Sequence, residues 1–164
     1  MVNNIFWTAH TIRDHQWFKR NYNSRLAAIR ANYNEVIERD TWGGPAAMLY
    51  KTGAGMGIPV NWGTDTQLAE LEKFQPNILV VHGGVLQAMM TTWEREGCKL
   101  TELTHIKQIG DTVHDTLRER VEAMFGLKVE DNYSSSEVGT IAIQCPNTGL
   151  YHIMAENLIV EILD

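Results

Sequence analysis

The sequence contains few cysteines and no cluster of cations. Its 164 residues include two cysteines, Cys98 and Cys145, which lie far apart in the chain. That number and spacing predict reduced thiols and exclude a disulfide framework or a zinc motif. The formal net charge is −6, whereas proteins that bind duplex nucleic acid present grouped Lys and Arg to the phosphates. We therefore expect no nucleic-acid partner.

Long apolar runs are also missing. No stretch approaches the ~20 apolar residues of a membrane span, so we expect no membrane partner. The first residues, MVNNIFWTAH, lack the basic region and apolar core of a signal peptide. Because the thiols are predicted to be reduced as well, we expect a cytoplasmic protein.

Apolar runs and helical patterns alternate in the middle of the chain. Residues 77–82, NILVVH, form a continuous apolar run, which is typical of a strand that is covered on both faces. Gly83 and Gly84 predict a turn, and residues 85–95 predict a helix. Further strands are predicted at residues 105–109 and 127–132. This alternation indicates parallel βαβ units.

The helix predicted between the last two of these strands has clear boundaries. Thr112 can act as its N-cap, Asp115 stands in the capping-box position three residues later, and Gly126 can end it. An apolar stripe runs along it through Val113, Leu117, Val121 and Met124.

The two flanks of this region have different patterns. Residues 5–38 predict a helix with a possible break at 21–24, and residues 65–74 predict another helix. Between them, YKTGAGMGIP predicts a glycine turn between short strands at 46–50 and 58–62, rather than a phosphate loop. Residues 140–144, 152–155 and 158–163 predict antiparallel strands. The fold class is therefore α/β: a three-layer parallel βαβ subdomain with an antiparallel β-rich C-terminal edge.

Three polar loops follow the predicted parallel strands, and in open α/β sheets ligands bind beyond the carboxyl ends of such strands. We therefore expect these loops to lie side by side. They are His82-Gly83-Gly84, Gly110-Asp111-Thr112 and Tyr133-Ser134-Ser135-Ser136-Glu137.

The third loop carries groups that suit a nucleotide. A tyrosine ring can stack on a base, serine hydroxyls can donate to phosphate oxygens, and a carboxylate can hold Mg²⁺ together with substrate phosphates. From the residues alone, an ordinary solvated turn stays open as the alternative. Elsewhere, His10 and His15 are five residues apart and do not share a helix face, which argues against a metal pair. No G-x-S-x-G motif is present, which argues against a serine hydrolase.

The order of these residues resembles the adenylate-forming (AMP-binding) superfamily, which includes acyl-CoA synthetases, nonribosomal adenylation domains and luciferases. DNYSSSEVG is similar to the superfamily's tyrosine-to-glutamate motif, and LAELEKFQPNILVVHGGVLQAMM is similar to its acyl-pocket segment. CPNTGLYHIMAENLIVEILD is most similar to the phenylacetate-CoA ligase branch. The likeness is good over residues 64–164 and weak over residues 1–63.

This resemblance implies a role for each matching residue. In the nucleotide site Tyr133 stacks on adenine, Asp131 accepts from its amino group, and Ser134 and Ser135 belong to the same loop. Gly110, Asp111 and Thr112 lie on the other side of the adenosine. Ser136 binds the α-phosphate and Glu137 holds Mg²⁺, so these two are the catalytic candidates. His82, Gly83 and Gly84 wall the acyl pocket. His152 and Glu156 fit the branch signature without an assigned role.

The resemblance also implies that the chain is a fragment. The superfamily's early phosphate loop, its later ribose-binding aspartate and its C-terminal lysine have no counterpart here. Residues 1–164 are then part of the N-terminal domain, with a βαβ core at 64–139 and a β-rich edge at 140–164. The expected partners are a small-molecule carboxylic acid, ATP or AMP, Mg²⁺, CoA and the remainder of its own enzyme. We expect the fragment by itself to be inactive.

The function that the resemblance implies for the whole enzyme is that of an ATP-dependent carboxylate ligase, which activates an aryl or acyl acid as acyl-AMP and transfers it to CoA. Two other functions stay open at this point. One is an adenylation domain that loads a carrier-protein thiol instead of CoA. The other is a nucleotide-binding α/β module that has lost the chemistry. Ser134 is a departure from the superfamily, because most relatives have glycine at this position.

Overall fold

The computed structural model describes residues 2–163, with side chains from residue 5 onward. Its helices are α1 (Val2–Trp17), α2 (Ala46–Leu49), α3 (Thr64–Phe74), α4 (Gly83–Glu96) and α5 (Asp115–Phe125). Its strands are β1 (Leu26–Arg30), β2 (Ile37–Arg39), β3 (Gly55–Pro59), β4 (Ile78–His82), β5 (His105–Ile109), β6 (Val129–Glu130), β7 (Asn132–Ser135), β8 (Gly139–Gln144) and β9 (Tyr151–Ile153). No helix within residues 2–163 is long and apolar enough to cross a membrane.

The strands form two sheets. The main sheet has the order β2-β3-β1-β4-β5-β6, and all its pairs are parallel except that of β2 with β3. The small sheet has the order β7-β8-β9 and is antiparallel. The predicted fold class, α/β with parallel strands and an antiparallel C-terminal part, is therefore confirmed.

Helices α3, α4 and α5 cover one face of the main sheet, which we call the helix-covered face. Side chains on this face are buried and apolar, and they pack with Leu86 and Met90 of α4 and Val121 of α5. They include Ala27, Ile29, Met56, Ile58, Leu79, Val81 and Ile106. The chain buries this face because each strand is apolar at every second residue, and alternate residues of a strand point to the same side.

The opposite face of the main sheet lies under α1 and the small sheet, and we call it the cleft face. Its apolar part is small and consists of Ala28, Ile78 and Val80, with Tyr33 and Trp42 packed against them. Leu26 and Ile109 also pack against them. The polar positions on this face are Arg30, His82, His105, Lys107 and Glu130. The three layers are therefore the α3–α5 helices, the main sheet, and α1 with the small sheet.

The first third of the chain differs from the sequence-based prediction. The helix predicted over residues 5–38 ends at Trp17, and β1 and β2 follow it. Residues 46–49 form the short helix α2 and not a strand. The spacing of Leu26, Ile29 and Tyr33 imitates a helical period, but these residues belong to a strand and the loop that follows it.

The glycine-rich stretch is a sheet strand, β3, and not the predicted turn. All five residues of β3 are buried, because the strand pairs with β1 on one side and β2 on the other. A Cβ on Gly57 would lie 2.5 Å from Cζ of Tyr33, and one on Gly55 would lie 2.5 Å from the Thr41 carbonyl oxygen. Glycine is therefore needed for close packing on the cleft face and not for binding a phosphate.

Three smaller differences concern the later elements. Gly83 and Gly84 begin α4 instead of forming a turn. Helix α5 begins at Asp115 after His114, with no side-chain cap hydrogen bond, so the capping box of Thr112 and Asp115 is wrong, whereas Gly126 ends the helix at φ 65° as predicted. The strand predicted over residues 127–132 is divided between β6 and β7, and residues 158–163 form no strand.

Candidate functional site

A cleft of about 600 Å³ opens at the carboxyl ends of β1, β4 and β5, on the cleft face of the main sheet. Helix α1 supplies Trp7, His10 and His15 to its wall. The main sheet supplies Arg30, His82 and Lys107, and the small sheet and its turn supply Ser134, Ser135 and Ser136. This is the position at which an open α/β sheet binds ligands, beside the point where the chain moves from one side of β1 to the other.

The described part of the cleft wall carries cations and no carboxylate. Although the chain carries a net charge of −6, none of the described residues that line this cleft is Asp or Glu. The lining does include the cations Arg30 and Lys107 and three histidines. A concave site with cations and no carboxylate favours an anionic ligand.

The three sequence-predicted loops meet at this cleft. His82 from the first, Gly110 from the second, and Ser134, Ser135 and Ser136 from the third all line it. The first two loops are also bonded directly, because the Gly84 amide donates to Asp111 Oδ2 over 3.3 Å. The prediction that the loops lie side by side is therefore confirmed.

Seven predicted site residues lie outside the cleft wall, and four of them belong to the first two loops. Gly83 is buried at the start of α4, and Gly84, Asp111 and Thr112 are exposed beside the cleft. The Asp111 backbone is fixed by Gln108, whose Nε2 donates to the Asp111 carbonyl oxygen over 2.5 Å. These four residues form the rim between α4 and α5.

Tyr133 points away from the cleft. It lies in β7 between Asn132 and Ser134, which both line the cleft, and successive side chains of a strand point to opposite faces. Its side chain is 62% exposed. The ring is therefore free to stack on a planar group at the rim but does not face the enclosed part of the cleft.

Asp131 is buried and already has protein partners. Its Oδ2 accepts from Arg118 Nη2 over 3.0 Å and from the Tyr151 hydroxyl over 2.5 Å. Burial, followed by the hydrogen bond to Asp131, raises the pKa of Tyr151 to about 12, so Tyr151 stays a donor at neutral pH. This set of bonds joins α5, the segment before β7, and β9.

Glu137 lies in the three-residue turn between β7 and β8, and its side chain is exposed. Its own backbone amide and the Ser135 hydroxyl lower the pKa of its carboxyl, so it is ionised at neutral pH. Among residues 2–163, no group of three or more His, Cys, Asp or Glu side chains is arranged to hold a metal ion. A single carboxylate beside the cleft nevertheless fits Mg²⁺, which proteins bind through one or two carboxylates together with substrate phosphates.

A buried network of charges lies under the cleft. Arg20 Nη1 donates to Asp14 Oδ2 over 2.5 Å, and Arg20 Nε donates to Glu130 Oε2 over 2.9 Å. Lys107 Nζ contacts Asp14 Oδ2 at 2.5 Å, and His105 Nδ1 contacts Glu130 Oε1 at 2.5 Å. The network joins the C-terminal part of α1 to β5 and β6, and it therefore sets the position of the α1 side of the cleft.

Burial and neighbouring charges set the protonation of the groups in this network. Burial favours the neutral form of Asp14, but Lys107 and Arg20 outweigh it and hold the pKa of Asp14 well below its usual range. Burial, and then the charge of Arg20, lower the pKa of His15 to about 3. Because Arg20 can only donate, its 3.1 Å contact makes His15 Nδ1 an acceptor on a neutral ring.

His10 is a buried polar side chain without a hydrogen-bond partner. It is 1% exposed, and neither ring nitrogen has a hydrogen-bond partner among the described residues. The nearest recorded carboxylate, Glu156, is 3.7 Å from Nε2. Burial lowers the pKa of His10, so the ring is neutral. Unsatisfied buried polar groups are costly, and this one stands on the cleft wall, where a bound ligand can satisfy it.

The α1 and β1 contributions to this site could not be predicted from the sequence pattern. His10 and His15 share the cleft wall although they are five residues apart, because the cleft runs along α1. Arg30 lies in a stretch whose spacing predicts a helix, and Lys107 is predicted only as part of a strand. The signal that the sequence offers is a cation at the end of the apolar run LAAIR and at the centre of HIKQI.

Solved structures that share this fold include CoA ligases. MatB from Rhodopseudomonas palustris superposes with a TM-score of 0.63 at 12% identity, over 86% of this chain and 27% of that enzyme. A long-chain-fatty-acid-CoA ligase from Archaeoglobus fulgidus gives 0.60 at 9% identity, over 85% and 29%. The anthranilate CoA ligase AuaEII, in complex with anthranoyl-AMP, gives 0.61 at 13% identity, over 83% and 27%.

The chain has the fold of one part of these ligases. It spans less than a third of the length of each of the three. No protein-family model matches the chain, and no curated protein matches it. The resemblance that DNYSSSEVG predicted is therefore supported at the level of the fold, and activity, substrate and acceptor are treated below as proposals.

Proposed function

We propose that this chain forms the acyl- and adenylate-binding part of an ATP-dependent carboxylate ligase. The whole enzyme would activate an acyl or aryl acid as acyl-AMP and transfer the acyl group to CoA. One observation carries the proposal: the predicted loops meet at a carboxylate-free, cation-lined cleft at the carboxyl ends of the parallel strands. The fold shared with CoA ligases supports it.

The first step is nucleophilic displacement at phosphorus. A carboxylate oxygen of the acid attacks the α-phosphorus of ATP, a new P–O bond forms, and the bond to pyrophosphate breaks. In the second step a thiol attacks the acyl carbonyl carbon and AMP leaves. The protein's contribution to such steps is mainly positioning and charge stabilisation.

The described residues divide between the two halves of the acyl-adenylate. In this proposal Ser134, Ser135 and Ser136 donate to the phosphate, and Glu137 holds Mg²⁺, which would neutralise phosphate charge. Tyr133 stacks on adenine at the rim, beside Gly110, Asp111 and Thr112, and Asp131 acts mainly by fixing the segment before β7. His82 and His10 face the acyl half.

A variant of Glu137 tests the proposal. In the full-length protein, Glu137→Gln should lower acid-dependent ATP–pyrophosphate exchange by roughly 10²–10³-fold, the range seen when one charge-stabilising group is removed. AMP binding should change little, because the exposed carboxyl does not line the cleft. Exchange is measured with aryl, branched and linear acids in the presence of Mg²⁺.

Glu119→Gln is the matched control. Glu119 is an exposed carboxylate on α5, so its variant removes the same charge away from the cleft. Unchanged exchange in both variants would remove Glu137 from the mechanism. Absence of exchange with every acid, from folded protein that still binds ATP, would favour the nucleotide-binding module that lacks the chemistry.

A further inference from the structure

Arg30 is a cation on the cleft wall that has no counter-ion. It stands at the end of β1, and its side chain forms no ion pair or side-chain hydrogen bond with any residue that the structure describes. Lys107, the other cation of the wall, is paired with Asp14. Burial lowers the pKa of Arg30, and no carboxylate offsets this effect. A partly buried, unpaired guanidinium is costly, so a ligand anion at this point would stabilise it.

The position of Arg30 separates it from the predicted phosphate site. Ala28 pairs with Val80, so the parallel register carried two residues further places Arg30 beside His82 at the strand ends. His82 in turn pairs with Ile109, which precedes Gly110. Gly110 is thus about two strand spacings, or about 10 Å, from Arg30. This backbone separation leaves room for an anion at Arg30 in addition to a phosphate bound at Gly110 and the serines.

Tyr33 is the aromatic neighbour of Arg30. Among the described residues, it is the one side chain whose charge effect opposes the effect of burial on the pKa of Arg30, and a Cβ on Gly57 would lie 2.5 Å from Cζ of its ring. Trp42 lies at the other end of β1, where its indole Nε1 donates to the Ser24 carbonyl oxygen over 2.7 Å and its amide donates to Thr52 Oγ1 over 3.0 Å. Between them the cleft wall carries Ala28 and Val80, so an apolar spacer can lie beside Arg30.

We propose that the acid substrate carries a second anionic group, and that Arg30 binds it while the reacting carboxylate lies near Gly110 and Ser136. The substrate class is then a dicarboxylic acid with a spacer of a few carbon atoms, aliphatic or aromatic, between the two carboxylates. A monoacid with an apolar tail would leave Arg30 buried and unpaired. This inference rests on the proposed function and specifies its substrate.

The test uses acyl-sulfamoyl adenosines, which imitate the acyl-adenylate and do not react. Three pairs are compared in the full-length protein by calorimetric titration: succinyl, glutaryl and 4-carboxybenzoyl compounds, each with the analogue whose distal carboxylate is a neutral amide. In at least one pair we expect the charged compound to bind at least about tenfold more tightly, which is typical of a charge-assisted hydrogen bond. Arg30→Gln should abolish the difference, and Arg30→Lys should keep part of it.

Arg95→Gln is the matched control, since Arg95 pairs only with Glu96 on exposed α4 and its variant removes the same charge far from the cleft. It should leave the preference intact. Equal binding of charged and amide compounds in every pair overturns the inference alone, and so does a preference that survives in Arg30→Gln. Absence of binding by all six compounds and by acetyl-sulfamoyl adenosine overturns the proposed function, and the inference fails with it.

Discussion

The two faces of the main sheet are built from the same strands but have different chemistry. In β4, Leu79 and Val81 face the α3–α5 helices, whereas Val80 and His82 face the cleft. In β5, Ile106 belongs to the apolar core, and Lys107 belongs to the buried charge network. Period-two alternation therefore divides each strand between a face that packs helices and a face that holds charges.

This difference shows how one sheet can be both stable and reactive. The helix-covered face supplies burial of apolar area, which is the main favourable contribution to folding. The cleft face places Arg30, Lys107 and three histidines around a space that can hold a ligand. The buried network below it pairs Arg20 with Asp14 and Glu130, and Lys107 with Asp14. These buried charges are stabilised by each other and not by water, so loss of one partner from the network should be costly.

The largest expected effect comes from breaking the charge network. Arg20→Met leaves Asp14 and Glu130 buried without their shared cation, and we expect the free energy of unfolding to fall by about 3–5 kcal/mol. The measurement is urea denaturation at pH 7 followed by tryptophan fluorescence. Leu79→Ala, on the helix-covered face, provides the comparison, with an expected loss of about 2–5 kcal/mol from the cavity it creates.

A second substitution distinguishes two causes of the lost stability in Arg20→Met, namely the buried charge that loses its partner and the packing that the arginine side chain provided. Without Arg20, Asp14 keeps Lys107 as a counter-ion, whereas Glu130 keeps only its contact with His105. Adding Glu130→Gln to Arg20→Met removes that poorly compensated carboxylate, so part of the lost stability should return. The same Glu130→Gln added to Leu79→Ala should return none. If Arg20→Met alone unfolds like wild type, the network contributes nothing and the comparison between the faces fails.

A smaller effect should follow from lowering the pH. The pKa of His15 is depressed to about 3 in the folded chain, below its ordinary value of 6.5, because of burial and Arg20. The unfolded chain therefore binds the proton more readily between these values, and stability falls as the pH falls. From pH 7 to pH 5 we expect a loss of up to about 2 kcal/mol, since one pH unit corresponds to about 1.4 kcal/mol.

His15→Gln tests this assignment. The variant cannot take up the proton, so its free energy of unfolding should change less between pH 7 and pH 5 than that of wild type. His10, whose pKa burial also lowers, contributes in the same direction. If His10→Gln retains most of the pH dependence of the free energy of unfolding, His15 is the main contributor to it and His10 the smaller one. An identical slope in His15→Gln and wild type contradicts the assignment to His15.

The sequence predicted the helix-covered half of the fold better than the cleft half. β4, β5 and α3 lie where the apolar runs placed them, because residues that pack on two sides leave a continuous pattern. β1 was missed because LAAIR contains two alanines, which favour helices, and its register with β3 and β4 depends on contacts distant in sequence. Residues 158–163 have strand composition, yet a strand also needs a neighbour to pair with.

The site was predicted in part, for a related reason. The loops after β4 and β5 and the serines of the third loop could be placed from the order of strands, since parallel strands end at one edge of a sheet. Arg30 and His10 line the same cleft, but they lie on β1 and α1, which are distant in sequence from the three loops. Only the folded chain brings them together. Tyr133 was predicted to lie in a loop, but it belongs to strand β7. Because successive side chains of a strand point to opposite faces, its ring points away from the side on which Ser134 lies.

The smallest effects are expected from substituting two glycines, one on the helix-covered side of the molecule and one at the cleft. Gly97, after α4, has φ 84°, and a Cβ there would meet nothing within 4 Å. Gly110, after β5, has φ 79°, and its Cβ would lie 2.8 Å from Nδ1 of His82. Substitution by Ala strains both backbones by about 1–3 kcal/mol, but only Gly110→Ala must also displace a side chain of the cleft.

The two variants should therefore differ in ligand binding more than in stability. Gly97→Ala should lower the free energy of unfolding by about 1–3 kcal/mol and leave the affinity for an acyl-sulfamoyl adenosine unchanged. Gly110→Ala should lose stability similarly and bind the same compound more weakly, because the added Cβ displaces His82 from its position on the cleft wall. Equal affinities in the two variants would show that His82 does not contact the ligand. A weaker affinity in Gly110→Ala alone would show that ligand binding depends on the position of His82. That position is possible only because Gly110 has no Cβ.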